Sequence, residues 1–320
     1  MTNETPDTLM EAISYFSTGD NAHNYMVKMR WPNGVCCPRC QSADIRPIAS
    51  RKMWECKVCT KQKQFSVKVG TIMEDSLIPL PKWLAAFWLL ANAKNGISSY
   101  EIGRSLGVSQ KSAWFMLQRI RLAMQTGTFL KFEGQVEADE TFIGGKARNM
   151  HKEAKERKIR GGTGGVGKEV VLGFLERRSK NTHSKIRTMH VKGQSREVIE
   201  PKVREHVERG SDLFTDALSA YSELTPEFRH QFVDHAERYV DGLIHTNGME
   251  NYWSLLKRTI KGTYVSVEPF HLFRYLDEQS FRFNRRGLND GERFNRVCGA
   301  ISGKRLKYSQ LIGKQSDRPG

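Results

Sequence analysis

The stretch GQVEADETFIGG, residues 134–145, decides how this chain is read. Residues 134 to 143 alternate apolar and polar, the period of a half-buried strand, and that period puts Glu137 and Asp139 on one face. Two other stretches answer it. SDLFTDALSAY, residues 211–221, reads as a short apolar strand ending at Asp216. HTNGMENYWSLLKR, residues 245–258, reads as an amphipathic helix with Glu250 near its start. Lys257 follows two turns later, on the same face as Glu250. Asp139, Asp216 and Glu250 therefore belong to three different elements that one sheet and one helix can bring to a point.

Three carboxylates at one point repel one another and raise each other's pKa, so an ionised cluster of this kind is tolerable chiefly around divalent cations. Hard oxygen ligands select Mg²⁺ or Mn²⁺ over zinc. Two such ions ~4 Å apart suit in-line displacement at phosphorus, with no covalent protein nucleophile. Each acid also has a plain structural use. Asp139 can face solvent, with Glu137 and Glu140 as rival site residues. Asp216 can cap a helix beginning at Ala217. Glu250 can close a capping box with Asn247, which is the expected N-cap and the reserve candidate for the third active-site position.

Around these stretches the pattern gives strands at 169–176, 185–191 and 228–234, a helix at 195–208 and a last helix at 268–286. Phe270, Phe273, Leu276 and Phe281 are the expected core of that last helix, and it is expected to lie beside the Glu250 helix. The order predicts an α/β domain over 130–288 with an RNase H-like mixed sheet. Arg258 and Lys261 extend the basic face begun by Lys257 and are expected to meet phosphates.

Upstream, Cys37, Cys40, Cys56 and Cys59 are spaced C-x2-C-x15-C-x2-C, the pattern of a four-thiolate zinc ribbon. A ribbon over 31–70 has too little apolar area to hold itself together, so one structural Zn²⁺ is expected to act as its staple. Cys36 is out of register, and Cys298 reads as a small buried hydrophobe. From 77 to 127 the sequence predicts a helix-turn-helix domain. A supporting helix runs from Leu80 to Asn92, and two short helices meet at Leu106-Gly107-Val108, with Ser109 as N-cap of the second. On that second helix Gln110, Lys111, Ser112 and Arg119 are expected to face DNA. A helical segment over 1–30 and a basic tail over 289–320 complete the plan.

The 320 residues carry a formal charge of +16, which predicts attraction to polyanions. The excess is concentrated between Lys146 and Lys168, a run with eight basic and two acidic residues in which Lys146 and Arg148 are candidate DNA contacts. Trp83 to Ala91, the longest apolar run, is far short of a membrane span, and a cytoplasmic, nucleoid-associated protein is expected.

The combination of CPRC and CKVC, the helix-turn-helix, VEADETFIGGK, FTDALSAY and HTNGMENYWSLLKR resembles a group of bacterial insertion-sequence DDE transposases with an N-terminal zinc ribbon. These are the prokaryotic relatives of Merlin elements. The resemblance spans roughly residues 10 to 290. It implies an RNase H-like enzyme that binds terminal inverted repeats, cuts double-stranded DNA and joins the ends to a target. It carries over Asp139, Asp216 and Glu250 as metal ligands and Lys257 as the basic residue after the glutamate. Some members use Asn as the third residue, which keeps Asn247 in play. End pairing implies a homo-oligomer. Two other readings compete: a DNA-binding regulator without catalysis, which would not need all three acids, and a nuclease that cuts without joining.

Overall fold

The computed structural model describes residues 6–125, 130–144, 167–179, 182–216, 219–233 and 245–313. The chain divides into two compact units, Met1–Gln125 with Leu288–Gly320, and Thr126–Gly287. Among the described residues no helix is long and apolar enough to cross a membrane.

The first unit opens with helices α1 (Leu9–Phe16) and α2 (Gly19–Arg30), capped by the Thr8 and Thr18 hydroxyls. A three-stranded antiparallel sheet follows, β1 (Ile45–Ile48), β2 (Met53–Cys56) and β3 (Gln64–Ser66). Its small core is aromatic: Trp54 of β2 stacks on Phe65 of β3 and on His23 of α2, and Trp31 meets both Trp54 and Phe65 edge-on. Helices α3 (Leu80–Asn92), α4 (Ser99–Leu106) and α5 (Gln110–Met124) follow. Gly107, at φ +59, takes the left-handed turn that ends α4, and Ser109 caps α5 by accepting from the Ser112 N–H. The Lys82 ammonium of α3 donates to the Gly107 carbonyl at 3.0 Å.

The segment from Asn289, read from sequence as a polar and basic tail, carries regular structure within this unit. A helix, Asp290–Gly299, opens with an Asn289/Glu292 capping box. Phe294 on its inner face is fully buried against Phe16 and Trp88. Glu292 and Arg296 lie exposed on the outer face of this amphipathic helix, while Arg293 turns inward and donates to the Asn92 side chain at 2.9 Å.

In the second unit, five strands stand in the order β6-β5-β4-β7-β8: β4 (Gln135–Ile143), β5 (Glu169–Glu176), β6 (Lys185–Val191), β7 (Asp212–Asp216) and β8 (Arg229–Val233). β4, β5 and β6 pair antiparallel, while β4–β7 and β7–β8 are parallel. Alternation along β4 assigns its two faces. Val136 and Ala138 join Leu172, Phe174, Leu213 and Val203, the last from the helix Arg196–His206. On the opposite face, where Glu137 and Asp139 point, Val171 and Leu175 pack against Met249, Trp253 and Leu256 of the helix Asn247–Thr259. Between β7 and β8 the described residues form a 3-10 turn, Ser219–Tyr221, where sequence predicted an α-helix.

The last helix corrects a second expectation. Pro269 opens a 3-10 turn, Pro269–His271, so the α-helical register begins at Leu272 and runs to Asn284. Leu272, Tyr275, Leu276 and Phe283 then pack against the Glu250 helix, and Phe281 is also buried. Phe270 and Phe273, predicted as core, are 52% and 38% exposed.

Candidate active site and metal centre

The ribbon cysteines gather as their spacing requires. The four sulfurs of Cys37, Cys40, Cys56 and Cys59 lie within 4.8 Å of one another, with Cys37–Cys59 at 3.8 Å and Cys40–Cys56 at 3.5 Å. These separations are too long for disulfides and close to the ~3.8 Å edge of a tetrahedron with 2.3 Å zinc–sulfur bonds. The Cys59 N–H donates to the Cys56 sulfur and helps bring that thiol down to about 7, toward the thiolate a metal needs. The donor set fits zinc. Cys36 turns away to Gln41, and Cys298 is buried in the Asp290–Gly299 helix.

In the second unit, register does the positioning. β4 and β7 run parallel with Glu137 opposite Phe214, so two residues further along each strand Asp139 and Asp216 come out side by side on the same face. Glu140 joins them: carboxylate oxygens of Asp139, Glu140 and Asp216 lie within 4.8 Å of one another. By alternation Glu140 belongs to the opposite face, and there the buried Tyr221 hydroxyl donates to it. Past Glu137 no further β4–β7 pair forms, so the Glu140 side chain can reach round the sheet edge. Sequence reading had Glu140 only as a rival to Asp139; the signal available was the adjacent acid at a strand end.

Glu250 sits exposed in the first turn of its helix and is not one of those three mutually close acids, yet its charge acts on Asp139. Burial, and beyond it the Asp216 and Glu250 charges, push Asp139 up to about 6, although the Trp253 indole donates to it at 2.9 Å. Glu140 is pushed up to about 8, first by burial and then by Asp216 and Asp139, against the Tyr221 hydrogen bond. Acids held this close and half-buried suit a cation far better than one another. Trp253, read from sequence as core, thus also grips Asp139. Lys257, half-buried on the Glu250 helix, is lowered by burial and by Lys261 while Asp139 draws it upward.

The helix meets the sheet closely because β5 carries Gly173 directly opposite Asp139. A Cβ there would collide with Met249 and come within 2.7 Å of the Trp253 ring. Asn247, expected as N-cap, is the first residue inside the helix, and Thr246 occupies the cap position without a side-chain cap bond. The cap comes from β4 instead: the Glu137 carboxylate accepts the Met249 N–H at 2.9 Å.

Of the expected DNA contacts, Gln110 and Lys111 are exposed at the start of α5 and Ser112 is half-exposed. Arg119 is not available: it is 5% exposed and donates to the carbonyls of Ile72 and Glu74 at 2.8 Å each, with its guanidinium over the Phe115 ring. Nine residues into the helix, it has rotated from the outward face onto the core. Arg258 and Lys261 are exposed beyond Lys257. Lys146 and Arg148 lie outside the described residues.

Residues 131–284 match the ISXO2-like transposase domain, and residues 17–62 match the transposase zinc-ribbon domain. An "Uncharacterized protein in transposable element ISH50" of Halobacterium salinarum is 27% identical over 260 residues, 78% of this chain and 85% of that protein. An "Uncharacterized transposase-like protein" of Haemophilus influenzae is 29% identical over 101 residues, 31% of this chain and 81% of that protein. No solved structure matches the chain. With a four-cysteine ribbon, an acid-lined mixed sheet and both domain matches in sequence order, the chain belongs to the insertion-sequence transposases that join a zinc ribbon to an ISXO2-like transposase domain.

Proposed function

We propose that this transposase binds the terminal repeats of its mobile element, cuts the DNA there and joins the freed 3′ ends to a target by metal-dependent phosphoryl transfer. The observation that carries the reading is the approach of the Asp139, Glu140 and Asp216 carboxylates, two of them driven well above their usual pKa by burial. Asp139, Asp216 and Glu250 are the residues to hold Mg²⁺ or Mn²⁺, with Asn247 in reserve beside Glu250. Bound cations would activate the attacking oxygen and stabilise the leaving one. Trp253 donates to one Asp139 oxygen and the Glu140 N–H to the other, which aims the carboxylate while each oxygen keeps a further lone pair for a ligand. Lys257 presents a cation to the scissile strand from the same helix as Glu250, and Arg258 and Lys261 continue that face along the DNA backbone.

The strand order, with three antiparallel strands continued by two parallel ones, supports an RNase H-like reading of the sheet. The α4–α5 turn, with Gln110, Lys111 and Ser112 at the head of α5, supports a helix-turn-helix that reads the element ends. Lys146 and Arg148 belong to the basic run that would add phosphate contacts. Pairing two ends calls for a homo-oligomer, and the working place of such a protein is the cytoplasmic nucleoid.

The test is cleavage and joining in Mg²⁺ on DNA from the gene's own flanks. Wild type is expected to make a product longer than either substrate. Glu250→Gln is expected to lose at least ~10³ in rate, about 4 kcal/mol of barrier, while still binding the ends. Asn247→Ala is expected to keep most activity. Equal cleavage by Glu250→Gln and wild type would overturn Glu250's assignment, and cut but never joined product would leave a nuclease.

A further inference from the structure

Glu137 is an acid the proposed chemistry does not use. It lies on β4 two residues before Asp139, 1% exposed, and its carboxylate is shared among three groups. Arg177, just past the end of β5, donates its Nε–H at 2.8 Å. The Met249 N–H donates to the other oxygen at 2.9 Å, and the His245 ring stands at 3.6 Å. Arg177 reaches on to the His245 carbonyl at 2.6 Å and lies over the Phe214 ring at 4.1 Å. Gly248 makes room for this, since a Cβ there would stand 2.8 Å from the Glu137 carboxylate.

The first amides of a helix have no intrahelical partner, and this helix has no side-chain cap of its own. Its N-terminus is therefore held by a carboxylate of the neighbouring strand, assisted by an arginine that ties down the approaching chain at His245. Glu250 is the next residue after Met249. The bond from Met249 to Glu137 thus spans directly between the helix that carries Glu250 and the strand that carries Asp139.

We propose that Glu137, with Arg177, is a positioning residue that fixes Glu250 against Asp139 and Asp216, and so sets the affinity of the site for its divalent cations. This rests on the reading of those three acids as the metal site. Glu137 touches neither cation nor DNA. It acts through the first turn of the helix, as an outer partner that orients a ligand.

The test compares full-length wild type and Glu137→Gln in three measurements: end-DNA binding without added divalent ion, Mn²⁺ binding to the DNA-free protein by calorimetry, and the Mg²⁺ concentration giving half-maximal cleavage. Glu137→Gln is expected to bind end DNA as wild type does. Its Mn²⁺ affinity is expected to fall, and its half-saturating Mg²⁺ to rise, by about tenfold or more, the usual effect of losing an outer-shell partner. A folded variant that melts lower but has wild-type metal dependence overturns the proposal, since a purely structural role does just that. If Glu137→Gln does not fold, the pair Glu137→Gln/Arg177→Met removes both buried charges together and is held to the same two metal readouts. Amide exchange at Met249 in wild type adds a check free of any variant: slow exchange is expected, and an unprotected Met249 overturns the clamp. If wild type itself neither binds Mn²⁺ nor cuts, the three-acid reading falls and the proposal with it. If wild type does both and the variants match it, Glu137's role falls and the acids stand.

Discussion

The thiolate cluster and the acid cluster of this chain are built in opposite ways. The ribbon draws four sulfurs from one short stretch, Cys37 to Cys59, with two knuckles that each supply a pair. The acid cluster joins β4 to β7, with the Glu250 charge acting on it from a helix further along the sequence, and its geometry exists only once the sheet has formed. A local site depends on its metal for structure, whereas an assembled site depends on structure for its metal. The first should collapse when the ion leaves. The second should stand, under electrostatic strain.

The sharpest way to break that contrast is to strip the zinc. Purified protein is expected to carry one zinc per chain by elemental analysis. Chelation or Cys56→Ser is expected to unfold the β1–β3 ribbon, with a loss on the order of 10 kcal/mol of apparent folding free energy. Amide dispersion from ribbon residues that survives complete zinc removal would show that the Trp31, Trp54 and Phe65 cluster suffices without metal.

The same contrast explains what could be read in advance. Cysteine spacing is a local signal, and so is strand alternation: β4, β5 and β6 run where the pattern put them. The misread residues all depend on what a distant element does. Asn247 looked like an N-cap because nothing in its own neighbourhood announces that Glu137 supplies the cap from another strand. Arg119 looked like a DNA contact because sequence does not show the Ile72 and Glu74 carbonyls waiting for it. Phe273 looked like core, but the Glu250 helix meets Leu272, Tyr275 and Leu276 and leaves Phe273 exposed. Glu140 stood in sequence only as a rival to Asp139, because nothing local announces that its carboxylate meets those of Asp139 and of Asp216 on another strand.

A smaller effect, on stability against pH, separates the sites further. Burial raises Glu140 from 4.5 to about 8 and Asp139 from 3.8 to about 6. An acid whose folded pKa lies above its unfolded value binds more protons folded, so its contribution is complete below the unfolded pKa and is lost as pH rises through the folded one. Zinc-loaded protein without Mg²⁺ is therefore expected to lose stability at this site as pH rises from 3.8, the Asp139 starting value, to about 8, the raised Glu140 value. Mg²⁺ must displace those protons, so its stabilising effect is expected to grow over the same range. The ribbon runs the other way, since thiolates bind zinc more weakly as pH falls. Melting followed with and without Mg²⁺ at pH 5 and pH 8 reads this directly. An Mg²⁺ effect that is equal at the two pH values would mean that Asp139 and Glu140 do not face the cation.

The smallest effect tests whether the assembled site depends on a single missing side chain. Gly173→Ala places a Cβ within 2.7 Å of the Trp253 ring and into Met249, directly opposite Asp139. Overpacking of this kind costs about 1–3 kcal/mol, read as a lower melting temperature of the sheet domain with zinc content unchanged. The clashing atoms belong to the outer ring of the indole, which phenylalanine lacks. In a Trp253→Phe background the same Gly173→Ala change is expected to cost less, a favourable coupling in a double-mutant cycle. That background also removes the hydrogen bond to Asp139, so Mn²⁺ affinity and stability are expected to part company: stability is partly regained in the double variant and metal affinity is not. Additive costs would mean that the helix can lift away from β5, and that the closeness of Gly173 to Trp253 is incidental to holding the acids in place.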